Sequence, residues 1–456
     1  MHRSFSPHLC AAALVLACSA ALADSPEGGS GPLASLQAAY SRAAAAGERA
    51  DQYRALFAGV FNRIERSHAT DVDMAAFATA AQRAIDALPP GAGDPADVFK
   101  TAVNTALRTL DPYSRYLDPA SQRNERGDSG GSFGGLGLEV EAGGDAVRVV
   151  APMRGSPAAL AGLQRGDLIV RIDDQSLAGV ALADAVARLR GAPGTPVAIT
   201  VRRPGTEQAF TVSITRDTIR RQLLRWSLES DVLVLRIGSF SGPVSTALQQ
   251  AVGEALATQQ PRAVLLDMRG NGGGLLREGV ATADAFLGQG EIASMRGRSA
   301  ANQRSWKADP TELLAGLPMV VLLDGRSASA TELVASALQA HGRAVVMGQR
   351  SFGKGTVQTT FSLGDNLGAL KLTTAAYLGP AGRAVQQVGI APDIELVTAP
   401  AEAPSADAAP ARGALRIEQS RCAALHAIPD PALACAIAYL LAGDADAFRA
   451  AAAEYR

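Results

Sequence analysis

Between residues 232 and 348, four short and almost wholly apolar runs (VLVLRI, AVLL, MVVLL and AVVMG) are separated by segments of helical texture and by glycine- or serine-rich turns. A strand with no polar alternation is buried on both faces, as in a mostly parallel sheet covered by helices above and below. Helices returning the chain between such strands make this region an α/β core. Folds of that kind gather their ligand-binding turns at the carboxyl ends of the strands, so the turns after these runs are where chemistry is expected.

The rest of the 456-residue chain differs in texture. Residues 1–23 read as a signal peptide: Arg3, an apolar run from residue 9, and Ala21-Leu22-Ala23 before Asp24. The run is too short to span a bilayer, which takes about 20 residues. Cleavage before Cys18 instead would leave a lipid anchor. Residues 24–130 carry apolar positions at helical spacing (Leu56, Val60, Phe61, Ile64, then Phe77, Ala81, Ile85, Leu88), and read as an N-terminal helical domain. Residues 131–217 are a small β-rich module with two short helices, 218–398 hold the α/β core, 399–412 form an Ala/Pro/Ser linker, and 413–456 a helical tail.

Forty-three basic and 44 acidic residues leave a net charge of −1, which gives no electrostatic case for a nucleic-acid partner. Only Lys100, Lys307, Lys354 and Lys371 are lysines; the other cations are arginines, which do not lose their proton at usable pH. Cys10 and Cys18 lie in the leader. Cys422 and Cys435 remain, a pair that an oxidising compartment would bridge or that would stay as two buried thiols.

Three turns could carry chemistry. In GRSASATELVA, residues 325–335, Ser327 and Ser329 sit where a strand passes into a helix; such a serine either caps the helix or serves as a nucleophile beside a free amide. Histidine is a poor candidate for the base: His341 is about 18 Å along the same helix, and His68 and His426 fall in the helical ends as surface or capping residues. Lys354 stands in SFGKGTVQTTF between Gly353 and Gly355, and a buried lysine can act as a neutral base with Gln358 placed to hold its amine. In DMRGNGGGLL, residues 267–276, Asn271 and Gly272-Gly273-Gly274 suit an oxyanion site. Dinucleotide and P-loop spacings are absent, as is any zinc motif, so no cofactor and no metal are expected.

Taken together, LDPYSRYLDP (residues 110–119), FGGLGLEV, GSPAALAGLQRGDLIVRIDD, LDMRGNGGGLL, GRSASATELVA, SFGKGTVQTTF and LKLTTAAYLGPAGRAVQQVGIAPDI resemble the carboxyl-terminal processing, or tail-specific, proteases. These are Ser/Lys peptidases with a PDZ domain. Tyr113 stands where histidine is common, and Gly270 and Gly272 replace the usual Asn and Pro. The resemblance implies a ClpP/crotonase-like protease core preceded by a PDZ module at 131–217. It makes Ser329 the nucleophile, Lys354 the general base oriented by Gln358, Gly273 and Ala330 the oxyanion amides, and Glu332 a structural acid. Phe133, Gly134, Gly135, Leu136 and Gly137 would form the loop that receives a substrate's terminal carboxylate, Leu138 and Val140 would offer apolar contacts, and the helix near Ala181–Leu189 would supply the pocket for the last apolar side chain. It further implies an exported, periplasmic endopeptidase acting on exposed C-terminal tails, a homodimer, and an activating adaptor protein as partner. Two competing readings are a catalytically silent PDZ tail-binding adaptor and a hydratase-like enzyme on the same core; intact Ser329 with Lys354 argues against both.

Overall fold

The computed structural model describes residues 31–91, 93–129, 131–153, 155–206, 208–220, 223–398, 415–423 and 428–454; the leader and the 399–412 linker fall outside them. Seven strands form the central sheet in the order Leu224–Glu229, Val232–Ile237, Ala263–Asp267, Met319–Leu323, Val345–Gly348, Ile394–Val397 and Leu415–Glu418. The first pair is antiparallel and every later pair parallel. Ala263–Asp267 and Met319–Leu323 are buried at every position, so both faces must be covered. Leu233 and Leu235 point to one face, packed by the helices Val244–Thr258, Leu276–Asp284 and Ala330–Ala340; Val232 and Val234 point to the other.

That second face is closed by the end of the chain. The helix Pro431–Ala442 lies across it, and Leu415–Glu418 pairs in parallel with Ile394–Val397. The tail is therefore not purely helical; it supplies the sheet's last strand, and Cys422 is joined to Cys435 by a disulfide beneath that face.

A second sheet is built on the long strand Ala369–Gly379, paired with Thr356–Ser362, Glu291–Gly297, Arg383–Ala384 and Arg115–Leu117. The last of these comes from the N-terminal segment. The helices Pro32–Ala43, Glu48–Ser67, Met74–Asp86 and Pro95–Leu107 pack around Tyr40, Phe57 and Phe99, and their core runs on into Leu370 and Leu372. Asp73 and Asp94 start two of these helices by accepting the amides of their first turns. The N-terminal helices are thus fused to the second sheet.

The β-rich module has its own core around Val149, Ile169, Ile199 and Val201, in a sheet ordered Leu138–Ala142, Val147–Pro152, Leu168–Ile172, Pro196–Arg202 and Phe210–Thr215. Leu138–Ala142 is its edge strand. The chain enters and leaves through a two-stranded neck, Ser132–Gly135 against Asp217–Arg220.

Candidate active site

Strand Met319–Leu323 ends at Asp324, and the chain turns sharply into the helix Ala330–Ala340. The two serines of the turn have different surroundings. Ser327 is fully buried, and its hydroxyl donates to Met268 O at 3.0 Å while accepting the Asp324 N–H at 3.0 Å, so it locks the turn to the neighbouring glycine-rich loop. Ser329 is half-buried, with φ 60° and ψ −118°, a conformation that side-chain-bearing residues adopt only where surrounding contacts enforce it. Strain at a strand-to-helix turn is how such turns present a serine hydroxyl beside free helix amides. Among the described residues none accepts a hydrogen bond from the Ala330 N–H.

Glu332 does the enforcing. It is fully buried, and its Oε2 accepts the Ser329 N–H at 2.7 Å and the Lys354 N–H at 2.8 Å. Its Oε1 accepts the Gly353 N–H and the Ser351 hydroxyl, both at 2.6 Å. One carboxylate therefore clamps the serine turn to the lysine loop. Tyr377 completes the turn by donating its hydroxyl to Ser329 O at 2.9 Å; burial, with Glu332 nearby, holds its own proton on well above the ordinary range.

The glycine-rich loop closes the opposite wall. Gly273 has φ +93°, and a Cβ there would lie 2.6 Å from Ala328 O and 2.7 Å from Ser329 Cβ, so only glycine lets the loop approach the serine. Two details depart from the sequence reading. Asn271 is fully buried, its amide donates to Ile237 O at 3.0 Å and its Oδ1 faces the loop, so it braces the loop from within. The Gly273 N–H donates to Asn271 Oδ1 at 2.9 Å.

Lys354 is half-buried between Gly353 and Gly355, which pack on Gln387 and Gln386. Burial, then the charges of Lys371 and Arg115, push its pKa below the usual lysine value against the opposing pull of Glu125 and Glu332. Its Nζ sits 4.7 Å from the centre of the Tyr113 ring. Gln358 directs its amide not at the lysine but at Thr356 Oγ1, 2.9 Å, and Thr373 Oγ1, 3.3 Å. Ser329, Lys354, Gln358 and Gly272–Gly274 share a cavity of about 470 Å³, whose wall also carries Tyr377 and an ion pair of Glu125 with Lys371. A larger cavity of about 920 Å³, beside Gln339, Arg350 and Arg383, is lined by no serine, cysteine, histidine or lysine, and its carboxylate, Asp393, accepts hydrogen bonds from the Gln339 side chain and the Val346 N–H.

His68 is a correction. It does cap the helix Glu48–Ser67, but it is buried there and not at the surface, and its Nε2 lies 3.2 Å from Asp111 Oδ2. A carboxylate only accepts, so Nε2 donates to it, while Nδ1 faces Thr70, 3.2 Å from its carbonyl oxygen and 3.1 Å from its hydroxyl. In the β-rich module, Phe133, Gly134 and Gly135 are paired in the neck, leaving Leu136 and Gly137 alone to link it to the edge strand that begins at Leu138. Asp111, Tyr377 and the Glu125–Lys371 pair escaped the sequence reading. Asp111, Lys371 and Tyr377 do fall within LDPYSRYLDP and LKLTTAAY, two segments that carry the family resemblance, whereas nothing in the sequence around Glu125 marks it.

Residues 231–396 match peptidase family S41, and residues 148–203 match the PDZ domain. The chain is 40% identical over 304 residues to a carboxy-terminal-processing protease of Bartonella bacilliformis, covering 66% of this chain and 70% of that one. It is 35% identical over 299 residues to a carboxyl-terminal-processing protease of Picosynechococcus, with 64% and 71% covered. A solved structure of a photosystem II D1 C-terminal processing protease aligns over 77% of this chain and 93% of its own, at 26% identity and a TM-score of 0.49.

Proposed function

The chain belongs to peptidase family S41 and is a serine-type peptidase, and from that premise we propose that it is an exported endopeptidase that captures protein tails on its PDZ domain and cleaves them with a Ser329/Lys354 dyad. The observation that carries this reading is the strained Ser329 at a helix N-terminus, in one cavity with a lysine whose proton is weakened by burial.

Neutral Lys354 leaves the Tyr113 ring, takes the proton of Ser329 Oγ, and the oxygen attacks the scissile carbonyl. The Ala330 N–H receives the developing oxyanion, joined by the Gly273 N–H as it is shared with or released from Asn271 Oδ1. Lysinium then protonates the leaving amine, the acyl-enzyme forms, and water repeats the sequence. Gln358 acts at one remove, holding Thr356 and Thr373 beside the lysine. A substrate tail adds as a strand to the free edge of Leu138–Ala142, with its carboxylate at Leu136-Gly137. Export rests on the leader; a homodimer and an activating adaptor belong to the same reading only through the resemblance given above.

The test is hydrolysis of a loosely folded protein with an apolar C-terminal tail by the chain lacking residues 1–23. Cleavage is expected from wild type, lost in Ser329→Ala and Lys354→Ala, and slowed when the tail is amidated. Undiminished cleavage by Ser329→Ala would overturn the site. Binding of the tail without cleavage, in the presence of intact Ser329 and Lys354, favours the silent adaptor.

A further inference from the structure

One aromatic contact of Lys354 comes from outside the protease core. Lys354 Nζ rests on the face of Tyr113, 4.7 Å from the ring centre, and Tyr113 belongs to the N-terminal segment, not to the protease core. The loop carrying it is tied down by Asp111. That carboxylate accepts the N–H groups of Tyr113 and Ser114 at 2.7 and 2.8 Å, the Ser114 hydroxyl at 2.5 Å, His68 Nε2 at 3.2 Å and Thr373 Oγ1 at 2.9 Å. Thr373 Oγ1 in turn accepts from Gln358, so a single carboxylate fixes both the ring over the lysine and the amide beside it.

We propose that Tyr113 is a positioning residue for Lys354: its ring face holds the cationic amine in the cavity and sets how readily that amine gives up its proton. This rests on Lys354 being the base. A ring face attracts a cation through its quadrupole and does nothing comparable for a neutral amine, so the contact favours lysinium. It opposes burial, Lys371 of strand Ala369–Gly379 and Arg115 of strand Arg115–Leu117, which disfavour the charge, and acts alongside Glu125 of helix Pro119–Ser129 and Glu332 of helix Ala330–Ala340, which favour it. The ring thereby tempers the base and gives it a defined place from which to move onto Ser329.

Two substitutions separate ring from bulk. Tyr113→Phe keeps the face; Tyr113→Leu keeps apolar cover and removes the face. Neither disturbs the turn, because Asp111 holds the backbone N–H of residue 113 whatever its side chain. With four lysines in the sequence, acetic anhydride labelling of the folded full chain across pH, read by peptide mass mapping, titrates Lys354 directly, with Lys100 and Lys307 as references. The Leu variant is expected to lower the Lys354 labelling midpoint by roughly half to one pH unit, the size of a partly desolvated cation–π contact at about 1.4 kcal/mol per unit. The Phe variant should match wild type, and the acid limb of kcat/KM for peptide hydrolysis should move with the labelling midpoint. An unchanged or raised midpoint in the Leu variant overturns the proposal, as does a Phe variant that shifts as far as Leu. Labelling needs no turnover, so its result stands whether or not Lys354→Ala retains activity; retained activity would sink the Ser/Lys reading alone.

Discussion

Glu332→Gln tests the clamp between serine turn and lysine loop. The carboxylate receives two donors on each oxygen: the Ser329 and Lys354 amides on one, the Gly353 amide and Ser351 hydroxyl on the other. A carboxamide has the same shape but one accepting oxygen, so two of these buried donors lose their acceptor and face an N–H₂ group instead. At about 1–3 kcal/mol for each unsatisfied buried group, the loss is about 2–6 kcal/mol. The two tryptophans, Trp226 and Trp306, both lie in sheets of the core, so fluorescence in urea follows the unit that contains the clamp. With a slope of about 2–3 kcal/mol/M the midpoint should fall by about 1–3 M. The same change lets the serine turn and lysine loop drift apart, and labelling of Ser329 by a fluorophosphonate should slow about a hundredfold. A midpoint displaced by less than about 0.3 M, or unaltered Ser329 labelling, would show that the clamp is not what holds the two turns together.

Ser327→Ala should cost about 1–2 kcal/mol of core stability through its lost bond to Met268 O, yet leave Ser329 open to fluorophosphonate; lost labelling would mean that the two serines have been assigned the wrong way round. Gly273→Ala forces a side chain into a left-handed conformation 2.6 Å from Ala328 O. Hydrolysis should drop about a hundredfold in a protein that still folds, and wild-type rates would refute the close approach of the loop. Burial would raise the Asp111 carboxyl, but hydrogen bonds from His68, Ser114 and the Tyr113 and Ser114 amides hold it below the usual range. Its contribution is therefore present above the ordinary carboxylate value of 3.8 and fades as pH falls through the lower folded value, so Asp111→Asn should flatten the acid side of a urea-midpoint profile. Lys354 has the opposite charge and a lowered folded pKa, so lysinium costs stability at every pH below its ordinary value of 10.5. Lys354→Met should raise the urea midpoint near pH 7 while abolishing hydrolysis, and the gain should vanish above pH 10.5; a lowered midpoint would mean that the lysine is not held at a cost.

The parts legible in the sequence are those written locally. An unbroken apolar strand, a small-residue turn and a helix start are contiguous, so the positions of Ser329, Lys354 and the glycine-rich loop at strand ends follow from a few residues each. What the sequence withheld depends on distant partners. Asp111 and Thr373 are 262 residues apart and meet because Arg115–Leu117 pairs with Ala369–Gly379 in the second sheet, a pairing that a strand of three residues does not announce. His68 looked like a helix end because it is one; its burial comes from the Asp111 turn laid over it. The strand Leu415–Glu418 is hidden in the same way, recognisable only beside Ile394–Val397.

These long-range contacts also locate the cost of the site. Folding must hold Ser329 at φ 60° and keep an amine in surroundings that disfavour its charge, and neither is favourable by itself. The compensation lies in carboxylates placed where hydrogen-bond donors converge: Glu332 joins the two turns from within the core, and Asp111 brings the N-terminal segment to bear on the same lysine. Since Asp111 reaches Lys354 only through Tyr113 and through the Thr373–Gln358 contact, the helical N-terminal region is part of the site's construction. A core cut free of residues 31–117 would keep Ser329, Lys354 and Glu332 but lose the ring, the carboxylate that orients Thr373 toward Gln358 and the strand beside Lys371.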